Sequence, residues 1–245
     1  MKSKLTILTV VKDGLDKLPD TLKSVAIQFN QPYEHIVCVG MPDDGSLDYL
    51  SKYNEHFIKI NEINDNGLYD ALNQGIALSS GDYILFLHAG DQLVNRNFIG
   101  IYDDLVTSNP DIMYGNVQFS DKNGEVKRKW NSGEYKEYKV HLGWMPPHTC
   151  SIVKTSIYEK FGLFDQSYKI SADYKFLFKI MRAKKSFLYA NELLIDMEIG
   201  GVSTLNFNSH FTKILEDFRA IEGTWLYSSF VVLAKRLRKV HQIRK

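Results

Sequence analysis

The 245-residue sequence predicts an α/β protein: a mostly parallel, twisted sheet with helices on both faces, continued by an elaborated, mixed α+β second half. Three observations predict it. Short apolar runs alternate with helical periodicity up to Pro110, the order of βαβ units. The segment 65–91, DNGLYDALNQGIALSSGDYILFLHAGD, holds one such unit whole, from a glycine turn through a helix to a buried strand. After Pro110 the turn DKNG, set between two β-prone runs, signals a hairpin and ends the alternation.

Taken in order, residues 5–11 are an apolar strand. Leu15, Leu18, Leu22 and Val25 mark a helix with Pro19 near its start, where a missing N–H is tolerated. Residues 35–39 are the second strand, followed by the polar turn MPDDGS and a short helix through Leu47 and Leu50. The third strand is 57–60. In the next helix Leu68, Ala71, Leu72, Gly75 and Ile76 recur at i, i+3, i+4, i+7 and i+8 and face inward. Asp70 and Asn73 are then neighbours on another face. Gly81 ends the helix, 83–87 is a fully buried strand, and 95–107 is a helix.

Beyond the hairpin strands 112–120 and 125–130 come a strand at 149–153 and a helix through Tyr158. A helix at 171–183 and strands near 187–189 and 193–197 follow. No Gly/Ser or Pro linker and no internal repeat interrupts the chain, so residues 1–222 are expected as one domain with halves 1–110 and 111–222.

Composition narrows the function classes. Apolar content of 44% and charged content of 24% are those of an ordinary soluble protein. A net charge of +1 argues against a general nucleic-acid binder. Cys38 and Cys150 lie far apart, in or just before strands, which points to buried free thiols in a reducing compartment rather than a disulfide or zinc site. The start MKSKLTILTVVKDG imitates a signal peptide, but Lys12-Asp13 interrupts its apolar run and no small-residue cleavage site follows. No segment approaches the ~20 apolar residues of a membrane span. A cytoplasmic protein is the expectation.

His88-Ala89-Gly90-Asp91 sits where the 83–87 strand leaves the sheet, and open α/β sheets bind ligands beyond the carboxyl ends of their strands. Asp91 is therefore a site candidate on position alone. Ser171 reads as an N-cap that puts Asp173 in a first helical turn, a place where acids are common whatever their role. The helix dipole there keeps a carboxylate ionised.

These pieces resemble the family 2 glycosyltransferases, inverting enzymes with a GT-A fold, over roughly residues 4–205. The markers are TILTVVKDG, DDGSLDYL, DNGLYDALNQGI, GDYILFLHAGD, the PPH segment, GLFDQSYKISADYKFLFK and IGGVS. The nearest relatives suggested build bacterial capsule, exopolysaccharide or O-antigen units. The resemblance implies a nucleoside-diphosphate sugar donor bound by residues 1–110, and a saccharide or lipid-linked saccharide acceptor bound by residues 111–222.

Asp91 is implied to hold Mn²⁺ or Mg²⁺ against the diphosphate, whose oxygens gain charge as it leaves. His88 and Gly90 stand where the family often has aspartates. Asp173 is implied as the base that takes the acceptor hydroxyl's proton, with Asp165 or His148 next in line. Thr9 and Val11 are implied to line the nucleobase pocket, and Asp65, Gly67 and Asn73 to meet the ribose or base. Asp70 either joins them or braces the loop, and His88 either serves the site or simply ends its strand. Relatives read the base with an aspartate just after the second strand. Here Val39-Gly40-Met41-Pro42 stands there, and Asp43 and Asp44 lie further out.

His148 and Trp144 are the acceptor-side candidates, with Trp130 a further aromatic to test and Gly200–Ser203 a closing loop or a plain turn. Two competing classes stay open, a catalytically inactive GT-A module serving a partner and a nucleotidyltransferase. The latter normally carries a glycine-rich, basic phosphate loop, whereas only Lys12-Asp13-Gly14 follows the first strand.

Residues 223–245 read as a basic amphipathic helix, with Leu226, Phe230, Leu233, Leu237 and Val240 on one stripe and no acid after Glu222. That composition suits an anionic membrane surface, and so a peripheral place on the inner face of the plasma membrane. A helix docked on the domain or in a homodimer is the alternative.

Overall fold

Fully apolar runs make the central strands, and helical periodicity makes the layers that cover them. The computed structural model describes residues 3–41, 43–53, 58–64, 66–199 and 207–243. In chain order the first half holds β1 (Leu5–Val11), α1 (Leu18–Ala26), β2 (Glu34–Gly40), α2 (Ser46–Ser51), β3 (Ile58–Ile63), α3 (Leu68–Leu78), β4 (Tyr83–Phe86), β5 (Gln92–Leu93) and α4 (Phe98–Val106). The second half holds β6 (Ile112–Ser120), β7 (Val126–Trp130), α5 (Glu137–Val140), a 3₁₀ turn at His148–Cys150, β8 (Ser151–Lys154) and α6 (Thr155–Phe161). It ends with α7 (Ala172–Arg182), β9 (Phe187–Glu198), α8 (Phe207–Ala220) and α9 (Trp225–Ile243).

Among the described residues the strands form one sheet in the order β3-β2-β1-β4-β8-β6-β9-β5, with β7 beside β6. The pairs β3–β2, β2–β1 and β1–β4 are parallel, as the βαβ alternation requires. β8 then runs antiparallel between β4 and β6, so the two halves share one sheet. The hairpin expected at DKNG forms, with β7 antiparallel to β6.

Four elements differ from expectation. The two strands near 187–189 and 193–197 are one twelve-residue strand, parallel to β6. Tyr189 pairs with Tyr114 and Leu193 with Asn116, so four residues of β9 span two of β6, and the polar Asn191-Glu192 bulge outward. Gly115 lies against this bulge, where a Cβ would meet the Leu194 side chain and the Glu192 carbonyl. Helices α5 and α8 had no place in the sequence reading. Finally, Leu68 is 39% exposed, and Tyr69 takes its place on the buried face of α3. Tyr69, Leu72, Asn73 and Ile76 fit the i, i+3, i+4, i+7 pattern equally well.

The core lies on both sides of the sheet. One layer packs α3, α6, α7 and the 140–145 segment over β1, β2, β4 and β6. Another packs α4 beneath β1, β4, β6, β8 and β9. Helix α9 docks on the first layer through Val231, Val232 and Lys235. Its backbone comes so close to Gly143 (φ +71°) that a Cβ there would strike the backbone of Lys235. Cys38 and Cys150 are free and buried. Among the described residues no helix is long and apolar enough to cross a membrane.

Candidate active site

The carboxyl ends of the parallel strands β1, β2, β3 and β4 lie on one edge of the sheet, and Tyr69 of α3, after β3, and His88, after β4, face the start of α7. Asp173 sits in the first turn of α7. Ser171 does occupy the N-cap position, but its hydroxyl does not cap. It donates instead to Asp217 Oδ1 at 2.8 Å. The loose N–H groups ahead of the helix are taken from α8, where the buried Glu216 carboxylate accepts from Lys169, Ile170 and Ser171 at 2.8–2.9 Å. Lys235 of α9 pairs with Asp217 at 2.9 Å and lies over the Tyr174 ring, so α8 and α9 together anchor this end of α7.

The Asp173 carboxylate is half-buried and accepts a 3.1 Å hydrogen bond from Tyr69 Oη of α3. Burial alone would raise its pKa. The charge His148 carries when protonated, the lysines Lys213 and Lys235 and the Tyr174 N–H outweigh that and hold it below the usual carboxylate range. His148 and His88 face it, their ring centroids 6.5 Å apart. Burial, then His148, lowers His88 to about 4 against the pull of Asp173; burial lowers His148 too, so both rings are neutral at pH 7. His148 Nε2 is buried without a partner, while its ring packs on Phe86 and Phe164. The structure thus brings Asp173, His88 and His148 into one constellation with Tyr69, which the sequence reading had not singled out.

Asp91 stands apart from that group, 6% exposed, with Oδ2 buried and unpartnered. Burial foremost, then the nearby Asp196 and Glu198, push its carboxyl up to about 8 against Lys17 and the His88 backbone. A cation fits this orphaned oxygen and its acidic surroundings. Among the described residues, however, no three His, Cys, Asp or Glu side chains group as a metal site. A metal here would complete its shell with phosphate and water oxygens, the habit of Mg²⁺.

Several donor-side expectations need correction at the level of side chains. Asn73 is buried and spent: Nδ2 donates to the Phe164 carbonyl and Oδ1 accepts the Phe164 N–H, both at 2.9 Å. Asp70 braces the loop, accepting from Asn66 N and Gln74 on one oxygen and from Gln166 on the other. Thr9 is fully buried, donating to the Leu87 carbonyl and meeting His35 Nε2, so its hydroxyl faces the core. Val11 is buried against Leu18, Leu22 and Val39. Asp43 and Asp44 serve the start of α2, through Leu47 N and Ser46 N.

Trp144 is no acceptor platform, since its indole is buried between Tyr114 and Tyr135 and donates to the Ser132 carbonyl. Trp130 lies half-buried on β7 with Arg128 near its ring. Asp165 is locked to Lys175 at 2.9 Å, which holds it down at about 2. Gly67 forms the turn into α3 with φ +122°. Asp65 and the 200–203 loop lie outside the described residues.

A twisted sheet read at its parallel carboxyl ends, with an antiparallel strand bridging to a second half that carries the candidate acid–base group, is the GT-A arrangement. The chain is a glycosyltransferase. Residues 6–164 match the family described as Glycosyl transferase family 2, and the chain belongs to it. An uncharacterized glycosyltransferase of Mycobacterium tuberculosis is 30% identical over 191 residues, covering 71% of this chain and 68% of its own length. A PGL/p-HBAD biosynthesis glycosyltransferase of Mycobacterium bovis is 26% identical over 65% of this chain and 62% of its own. Among solved structures, S. aureus TarS in complex with UDP-GlcNAc superposes with a TM-score of 0.69 at 13% identity, over 97% of this chain and 73% of that one. That likeness concerns the fold.

Proposed function

We propose that this protein transfers a sugar, with inversion, from a nucleoside-diphosphate sugar to a hydroxyl of a saccharide or lipid-linked saccharide acceptor in bacterial surface polysaccharide synthesis. One observation carries the reading: an ionised carboxylate, Asp173, set in a helix first turn and facing two neutral histidines at the substrate end of the sheet. Asp173 accepts the acceptor hydroxyl's proton as that oxygen bonds to the anomeric carbon, while the bond from that carbon to the diphosphate oxygen breaks on the opposite face. His88 and His148 border the carboxylate and stay uncharged, leaving Asp173 the anion of the constellation. A divalent cation, Mn²⁺ or Mg²⁺, would be held by Asp91 together with the diphosphate and would supply charge neutralisation for the leaving group.

The PGL/p-HBAD relative supports sugar transfer, and the UDP-GlcNAc-bound TarS structure supports a sugar-nucleotide donor. We place the enzyme at an anionic membrane surface on its cytoplasmic side. Supporting this, Trp225, Leu226, Phe230, Leu233 and Leu237 point outward from α9, Leu226 being 74% exposed, on a helix rich in Lys and Arg.

Two measurements test the function. A thermal-shift panel of UDP, GDP, dTDP and CMP compounds with and without Mn²⁺ should give a shift with one nucleotide class. No shift with any would favour an inactive module. Asp173→Asn should cut transfer by about 10²–10⁴-fold with donor affinity retained. Near wild-type turnover in that variant would overturn the base assignment.

A further inference from the structure

We propose that Tyr69 is a positioning residue for transfer: its phenol, reaching across from α3, fixes the orientation of the Asp173 carboxylate toward the acceptor. The inference rests on the reading of Asp173 as the base. The bond is direct, Tyr69 Oη donating to Asp173 Oδ1 at 3.1 Å between residues 104 positions apart in the chain. Tyr69 thus adds a side-chain donor from α3 to the Tyr174 N–H that already meets this carboxylate.

The geometry behind this bond is built rather than incidental. Tyr69 is buried, and its ring packs on Phe164 at 5.7 Å. Two further residues of α3 reach the same segment of chain. Asp70 accepts from Gln166 at 3.0 Å, and Asn73 holds both backbone polar groups of Phe164. Tyr69, Asp70 and Asn73 therefore form a clasp that fixes α3 against residues 164–173, and the phenol is the arm of it that ends on the carboxylate. The same helix starts at the Gly67 turn, whose Asn66 N–H is held by Asp70. A single rigid element thus spans from the loop at the strand ends to the base.

A carboxylate that must take a proton in a defined direction gains from a fixed partner, because a misplaced base loses most of its rate advantage.

The test is Tyr69→Phe, which keeps the ring against Phe164 and removes only the hydroxyl. A hydrogen bond to a charged group corresponds to roughly 10- to 100-fold, so kcat should fall by about that factor while the donor KM stays put. The acid limb of the kcat–pH profile should move to higher pH, because loss of a donor to the ionised form raises a carboxylate's pKa. The other groups facing Asp173 are His148 from the 3₁₀ turn, His88 beyond β4, Lys213 from α8 and Lys235 from α9, and all are unchanged in the variant. A fluorotyrosine at position 69, a stronger donor, should move the same limb the opposite way; it serves as the test should Tyr69→Phe fold poorly.

Unchanged kcat and an unmoved acid limb in both variants, beside an inactive Asp173→Asn, would reduce Tyr69 to packing. An active Asp173→Asn would instead remove the base reading itself.

Discussion

Removing the Asn73 side chain separates its structural role from a nucleotide contact. In Asn73→Ala two 2.9 Å hydrogen bonds to Phe164 vanish, and both Phe164 backbone groups stay buried. Each lost bond is worth roughly 1 kcal/mol net, and a buried group left unsatisfied costs about 1–3 kcal/mol. Water entering the vacated space recovers part of this, so a total of about 3 kcal/mol is expected. For a chain of this size that lowers Tm by about 6–12 °C. Asn73→Asp keeps an acceptor for the Phe164 N–H but sets a carboxylate against the carbonyl, and should be destabilised too. The assay is urea unfolding with UDP binding measured on the still-folded variants. Stability within about 0.5 kcal/mol of wild type, combined with lost nucleotide affinity, would refute the clasp and restore Asn73 as a donor contact.

Glu34 should make the fold acid-sensitive. Burial alone would raise its carboxyl, but Lys59, Thr6 and Ser80 outweigh it and bring it down to about 2, so its stabilisation is complete above its unfolded pKa and fades as pH falls from about 5 toward 2. That contribution, about 3 kcal/mol for a side chain buried in β2, should be absent from the acid unfolding curve of Glu34→Gln; an identical curve would contradict it. Mn²⁺ alone should leave Tm unchanged, Mn²⁺ with UDP should raise it, and Asp91→Asn should remove only the metal's increment; a shift with metal alone would reveal a site complete without nucleotide. Leu226→Ser combined with Leu233→Ser should abolish co-sedimentation with anionic vesicles at unchanged Tm, and retained binding would assign the stripe to another partner. Point variants are required there, because truncating α9 would remove the docking side chains Val231 and Val232 from the core and leave the buried Asp217 without Lys235.

The chain's local patterns determined the architecture of its first half. Strands β1, β2 and β4 are buried through and through, so their apolar runs were unambiguous, and the DKNG turn carried its own hairpin geometry. Asp91 was legible as a site candidate because a strand end is a local feature, and Asp173 because the motif around its helix start resembles the family's. Tertiary structure alone decided what the other polar residues do. Asn73 and Thr9 look like ligand contacts in one dimension, yet each is consumed by a backbone group about 80–90 residues away in the chain, a pairing no local pattern encodes.

Tyr69 is the converse case. Its residue type and spacing allowed either face of α3, and only the packing of α7 against that helix gave its hydroxyl the Asp173 carboxylate as a partner. Helix α9 shows the same division. Its amphipathic composition was plain in sequence, but the face that docks is Val231, Val232 and Lys235, leaving the longer apolar stripe outward. Which face a helix buries is decided by the shape and charge of the surface that receives it, here Asp217, the Tyr174 ring and the backbone notch at Gly143.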